Sequence, residues 1–121
     1  MSGARSRRKG DNYERRICGI LSDALGSVVR RKLGAARDGG DDTPAGWEAG
    51  PFSIEMKNHR VIRLREWIKQ ARDNSGDRVP VVVFHLHGTS EDWAAITLED
   101  LIPMMCGEII GSDQECGNGK D

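Results

Sequence analysis

Glu55 and Lys57 stand two residues apart in the run Phe52-Ser53-Ile54-Glu55-Met56-Lys57. Apolar Phe52, Ile54 and Met56 alternate with Ser53, Glu55 and Lys57, which is the period-2 signature of a half-buried strand. A strand in this register turns its apolar side chains into a core and sets a carboxylate beside an ammonium on the opposite face. A hard cation such as Mg²⁺ takes carboxylate oxygens and keeps several waters. A neighbouring lysine orients or helps deprotonate one of those waters, and offsets charge developing on a phosphate. These are the parts needed for metal-assisted phosphodiester hydrolysis. An isolated Glu-x-Lys reads as an ordinary surface ion pair, so the case rests on what lies upstream.

Three acidic positions precede the pair. Glu14 stands at the start of a helical pattern in Lys9-Gly10-Asp11-Asn12-Tyr13-Glu14-Arg15-Arg16, and Asp41 and Asp42 stand in the Gly-rich turn Asp38-Gly39-Gly40-Asp41-Asp42. The order is a helix Glu, a basic strand around Val28-Val29-Arg30, a loop Asp, then a strand with Ile54-Glu55-Met56-Lys57. With Arg8-Lys9-Gly10 ahead of Glu14-Arg15, this order resembles the PD-(D/E)XK nuclease superfamily, and within it the archaeal-type Holliday junction resolvases and their phage relatives. The likeness covers residues 7–87; each motif is weak alone and moderately specific in this order.

The resemblance implies a Mg²⁺-dependent, structure-selective DNA endonuclease with a restriction-endonuclease-like core, Mn²⁺ substituting for Mg²⁺. It implies catalytic Glu14, Asp42, Glu55 and Lys57, with Asp42, Glu55 and Glu14 as metal ligands. Asp42 has the better separation from Glu55, whereas Asp41 has the glycine before it and is kept as the alternative. Thr43-Pro44-Ala45-Gly46 does not read as a strand opening. Gln70, on the helix after the Glu-x-Lys strand, occupies the place of a glutamine that supports the site in some relatives. A four-way junction is two-fold symmetric, so a homodimer with two separated sites would cut opposing strands.

Charge supports a nucleic-acid partner. The net charge of −1 conceals ten basic residues against three acidic ones up to Arg37, a balance of +7, and one against eight from Gly88 onward, a balance of −7. A basic segment beside a candidate metal site is the footprint of phosphate-backbone binding. The residues expected to contact DNA are Arg8, Lys9, Arg15, Arg16, Arg30, Arg31 and Lys32.

The 121 residues suffice for one domain and are too few for two. Residues 1–106 read as the nuclease domain, 1–8 as a flexible basic arm, and 107–121 as a disordered acidic tail. Cys18, Cys106 and Cys116 lack paired spacing, so a zinc site is not expected and Cys18 reads as a buried free thiol. No apolar stretch approaches transmembrane length and no leader h-region is present. The expectation is a cytoplasmic protein of a bacterial or phage-infected cell, without membrane contact.

The supporting elements follow from periodicity. A helix is expected over 12–25, capped by Asn12 and stopped by Gly26, its apolar stripe formed by Tyr13, Ile17, Ile20, Leu21, Ala24 and Leu25. Residues 27–33 form a strand with Val28 and Val29 in the core, and 34–50 a long turn region or irregular hairpin. The Glu-x-Lys strand spans 51–57. A second helix covers 64–74, with Leu64, Trp67, Ile68 and Ala71 on its apolar face. Residues 79–86 form a strand buried on both faces, 92–98 a shorter exposed strand, and 98–105 a helix interrupted at Pro103. The fold class is α/β, a mixed central sheet flanked by helices.

Other residues have plainer readings. His59 is placed to contact a phosphate but reads first as a lone exposed histidine. His85 and His87 alternate on one strand without a third metal ligand. Trp47 is suited to stacking on a base or covering the end of the sheet, while Trp67 and Trp93 suit a core or subunit interface. The competing functions are a flap, single-strand or VRR-NUC-like nuclease of the same superfamily, and a non-catalytic DNA-binding accessory protein. Intact Glu14, Glu55 and Lys57 argue against the latter.

Overall fold

The computed structural model describes the backbone of residues 2–33 and 44–107, and the side chains of residues 9–32 and 46–107. Within these, helix α1 (Ser2–Leu25) leads into strands β1 (Arg30–Leu33), β2 (Pro44–Ala49) and β3 (Phe52–Lys57). Helix α2 (Leu64–Ser75), strands β4 (Val79–His85) and β5 (Asp92–Ala95) and helix α3 (Leu98–Met105) follow. The strands form one sheet in the order β1-β2-β3-β4-β5. The β3–β4 pair is parallel and the other three are antiparallel. A parallel neighbour needs a crossover, and α2 supplies it.

The alternation of β3 decides where the core lies. Ile54 and Met56 join Tyr13, Ile17, Val29, Ala49 and Val81 in a cluster beneath α1. On the opposite side Trp67 and Ala71 of α2 pack on Val82, with Leu64, Ile68 and Phe84 around them. Strand β4 serves both clusters, as its near-continuous apolar run predicts, because it is covered on both faces.

Several boundaries differ from the sequence reading. Helix α1 begins at Ser2, so Asn12 lies inside it and caps nothing. Ile20 and Leu25, assigned to the apolar stripe, are half exposed, since it is Tyr13, Ile17 and Leu21 that face the core. Strand β1 starts at Arg30, leaving Val28 76% exposed while Val29 alone enters the core. Pro44–Ala49 is a strand, although it did not read as one. Proline is tolerated as a first strand residue, where a missing N–H breaks no ladder bond. The hairpin reading of this region holds in that β1 and β2 pair antiparallel, and residues 34–43 lie outside the described residues.

Helix α3 runs through Pro103 without interruption and is capped by Thr97, whose Oγ1 accepts from the Asp100 N–H at 3.0 Å. Cys18 is free, whereas Cys106 is disulfide-bonded, which the cysteine spacing did not announce. The tail from 108 onward lies outside the described residues.

Candidate active site

Glu55 and Lys57 fall on the α2 side of β3, the middle strand of the sheet. Glu55 is 6% exposed. A buried carboxylate requires hydrogen-bond partners, and the Asn74 side chain of α2 provides one: its Nδ2 donates to Glu55 Oε2 at 3.0 Å. Asn74 is itself fixed from below. Lys32 Nζ donates to the Asn74 carbonyl oxygen at 2.6 Å and to Ser53 Oγ at 2.6 Å. Burial holds the Lys32 ammonium below its usual range, with Arg78 adding to the effect, while Glu48 and Glu55 pull the other way. Glu48 is engaged by Arg78 at 3.3 Å.

Gly46 gives this carboxylate its room. Its φ of +88° lies in the region that favours glycine. A Cβ there would lie 2.8 Å from the Ile54 carbonyl oxygen and 3.3 Å from Glu55 Oε2. The β1–β2 register shifts between Arg31 and Leu33, so Gly46 sits at a bulge, a device that re-aims strands beside functional sites.

Lys57 is half-buried, pairs in register with Phe84, and has no hydrogen-bond or ion-pair partner among the described residues. His59 follows it and lies against the Trp67 ring, with centroids 5.7 Å apart. Burial lowers the His59 pKa, and the charges of Lys57, Lys9 and Arg63 lower it further.

Glu14 is not brought to Glu55. It lines a recess of about 350 Å³ with Asp11, Arg15, Cys18, Arg31 and Trp47, on the α1 side, where Cys18 and Trp47 pack against the core. Asp41 and Asp42 lie outside the described residues. Among the described residues no three His, Cys, Asp or Glu side chains cluster as a metal group.

The expected DNA-binding cations divide into distinct settings. Lys9, Arg15 and Arg30 are exposed, and Arg8 lies in α1, its side chain outside the described set. Arg16 is held by Asp92 through two 3.0 Å contacts, Arg31 lies 5.5 Å over the Trp47 ring, and Lys32 is turned inward. Gln70 is exposed and makes no hydrogen bond among the described residues. Asn74, one turn further on, reaches the carboxylate instead. The signal for it was available, since 74 shares the buried stripe of Trp67 and Ala71.

The donor set suits a hard cation. Glu55 keeps a second oxygen, Oε1, with no hydrogen-bond partner among the described residues, and that atom is not sealed from solvent. Mg²⁺ binds through one or two carboxylates and retains several waters, so a single anchored carboxylate beside an unpaired lysine fits it.

A mixed five-stranded sheet with Glu-x-Lys on its middle strand and helices on both faces defines a nuclease of the PD-(D/E)XK superfamily. The chain belongs to the family described as "Phage putative PDDEXK endonuclease", whose model matches residues 5–104. No curated protein and no solved structure matches it. Nucleases of this superfamily are generally dependent on divalent metals, and DNA is the partner such an enzyme binds. Among the described residues no helix is long and apolar enough to cross a membrane.

Proposed function

We propose that this nuclease is a Mg²⁺-dependent endonuclease that selects DNA by structure and cuts four-way junctions as a homodimer, with Mn²⁺ able to replace Mg²⁺. The observation that carries the reading is the pairing of a buried, Asn74-held Glu55 with a partnerless Lys57 on one strand face. Glu55 Oε1, and Asp42 with it (Asp41 being the alternative), would hold the cation. When bound, the cation would polarise a phosphoryl oxygen and lower the pKa of a water. Lys57 positions the attacking water and offsets charge on the phosphate as it becomes five-coordinate. Asn74 keeps the carboxylate from rotating away, and Glu14, in its recess on the α1 side, takes no part in this set. The exposed Lys9, Arg15 and Arg30 draw the backbone toward carboxylates that would otherwise repel it.

Labelled four-way junction, duplex, flap and single-stranded DNA, each with Mg²⁺, Mn²⁺ or chelator, test the proposal. The expected result is paired incision of opposing junction strands, abolished by chelator. Faster cutting of flaps or single strands would sink the junction assignment while leaving the nuclease. Separate Asp42→Asn and Asp41→Asn variants identify the metal ligand, with activity expected to be lost only in the former.

A further inference from the structure

We propose that the cleft between α1 and the ends of β3 and β4 is a second anion site, which takes a backbone phosphate of the bound DNA away from the scissile one. The proposal rests on the nuclease reading and names a part of its substrate track. The cleft, about 680 Å³, is lined by Lys9, Asn12, Arg16, Asn58, His85 and Ser90, with Tyr13 at its floor. Asn58 directly follows Lys57, so the cleft opens where the Glu-x-Lys strand ends.

The lining is rich in donors. Asp92 organises one wall: it accepts from Tyr13 Oη at 3.0 Å, from both Arg16 terminal nitrogens at 3.0 Å, and from His85 Nδ1 at 3.0 Å. A carboxylate only accepts, so His85 donates from Nδ1 and retains Nε2 for another contact. Asn58 Oδ1 is taken by His87 Nε2 at 2.7 Å, which leaves the Asn58 amide nitrogen without a partner among the described residues. Lys9, Asn12 and Ser90 have no hydrogen-bond or ion-pair partner there either. Three unpaired side chains, the free Asn58 amide and the fixed Arg16 thus surround one opening, which suits phosphate oxygens that only accept.

The surrounding charge agrees. Burial lowers the His87 pKa, and Lys9, His85, Arg60 and His59 lower it further with no carboxylate opposing. His59 experiences Lys57, Lys9 and Arg63 in the same sense. Cations therefore surround the histidines at this end of the sheet. Asp92 is the carboxylate bonded to its wall, and the cation it pairs with is fixed in place by that bond.

The test uses the full chain in chelator, so that binding is read without cleavage. The probe is the 5′-phosphorylated dinucleotide pTpT, followed by calorimetry and by imidazole NMR signals. The Lys9→Ala/Asn58→Ala variant should bind it about tenfold or more weakly, as expected for loss of charge-assisted hydrogen bonds, with an unchanged melting temperature. The bound dinucleotide should shift the His85 and His87 resonances, and Arg65→Ala, on the outer face of α2, should bind as the parent does. Equal affinity in the double variant, or a shift confined to the His59 resonance, would overturn the proposal. Metal-dependent cleavage that persists alongside such a result would leave the nuclease reading intact.

Discussion

Asn74 holds Glu55 from the helix that covers its face of the sheet: the amide at the end of α2 lies 3.0 Å from the carboxylate at the middle of β3. This contact ties the crossover helix to the reacting end of the Glu-x-Lys strand. Loss of a group that orients a metal-ligating side chain typically costs about 10–100-fold in affinity or activity. Asn74→Ala should therefore lower the single-turnover cleavage rate by about that factor, with DNA affinity in chelator unchanged. Asn74→Asp should be worse, because a second carboxylate would face Glu55 without its hydrogen bond. A parent-like rate for the alanine variant would show that the contact is only structural.

Glu55→Gln and Lys57→Ala should each abolish cleavage, by about 10²–10³-fold or more, while DNA binding persists. The glutamine preserves shape in a buried site, and Lys57 has no partner to lose among the described residues. Circular dichroism and binding in chelator provide the control. Near-normal turnover by either variant would refute the assigned chemistry.

Gly46→Ala should damage both fold and activity. The new methyl would meet the Ile54 carbonyl oxygen at 2.8 Å, a backbone atom that cannot swing aside, on a residue at φ +88°. Alanine where φ is positive costs about 1 kcal/mol or more, and the nearby Glu55 oxygen would be displaced as well. A lower melting temperature together with slower cleavage is expected. A variant that cuts normally would mean that β2 shifts freely at its bulge.

Asp92 makes stability depend on acid. Burial raises its pKa, but the hydrogen bonds from Arg16, His85 and Tyr13 outweigh that and hold it below the usual carboxylate value. A carboxylate depressed in the folded state stabilises the fold above its unfolded pKa, and the contribution is lost as pH falls through the folded value. Asp92→Asn should lower the melting temperature at neutral pH and flatten its decline on acidification. The same acid slope in parent and variant would place the sensitivity elsewhere.

Salt should separate the basic residues. Arg30→Ala/Arg31→Ala should weaken binding to all DNA forms and flatten the dependence of affinity on salt, since phosphate contacts release counterions. Arg63, which precedes α2, and Arg65 and Arg72 on it should matter less. Lys32→Met should instead lower stability with little change in salt slope, because the ammonium is committed to Ser53 and Asn74. A larger loss from the α2 set would move the DNA path across that helix.

The sequence by itself determined the sheet's middle and its chemistry. The alternation through Phe52–Lys57 placed Ile54 and Met56 in the core and Glu55 and Lys57 opposite. The stripe of Leu64, Trp67, Ile68 and Ala71 settled α2, and the apolar run at 79–86 settled β4. Local periodicity suffices there because each pattern has one way to bury its apolar side. Tertiary structure decided the rest. That Pro44–Ala49 is a strand depends on pairing with β1 and β3, and its proline and glycine hide this from any local rule. That Lys32 turns inward depends on Ser53 and Asn74, which are 21 and 42 residues away in the chain. That Asn74 serves Glu55 in place of Gln70 depends on how α2 rotates over the sheet, which packing of Trp67 and Ala71 sets and spacing alone does not. The recess that receives Glu14, apart from Glu55, likewise follows from which face of the sheet α1 covers.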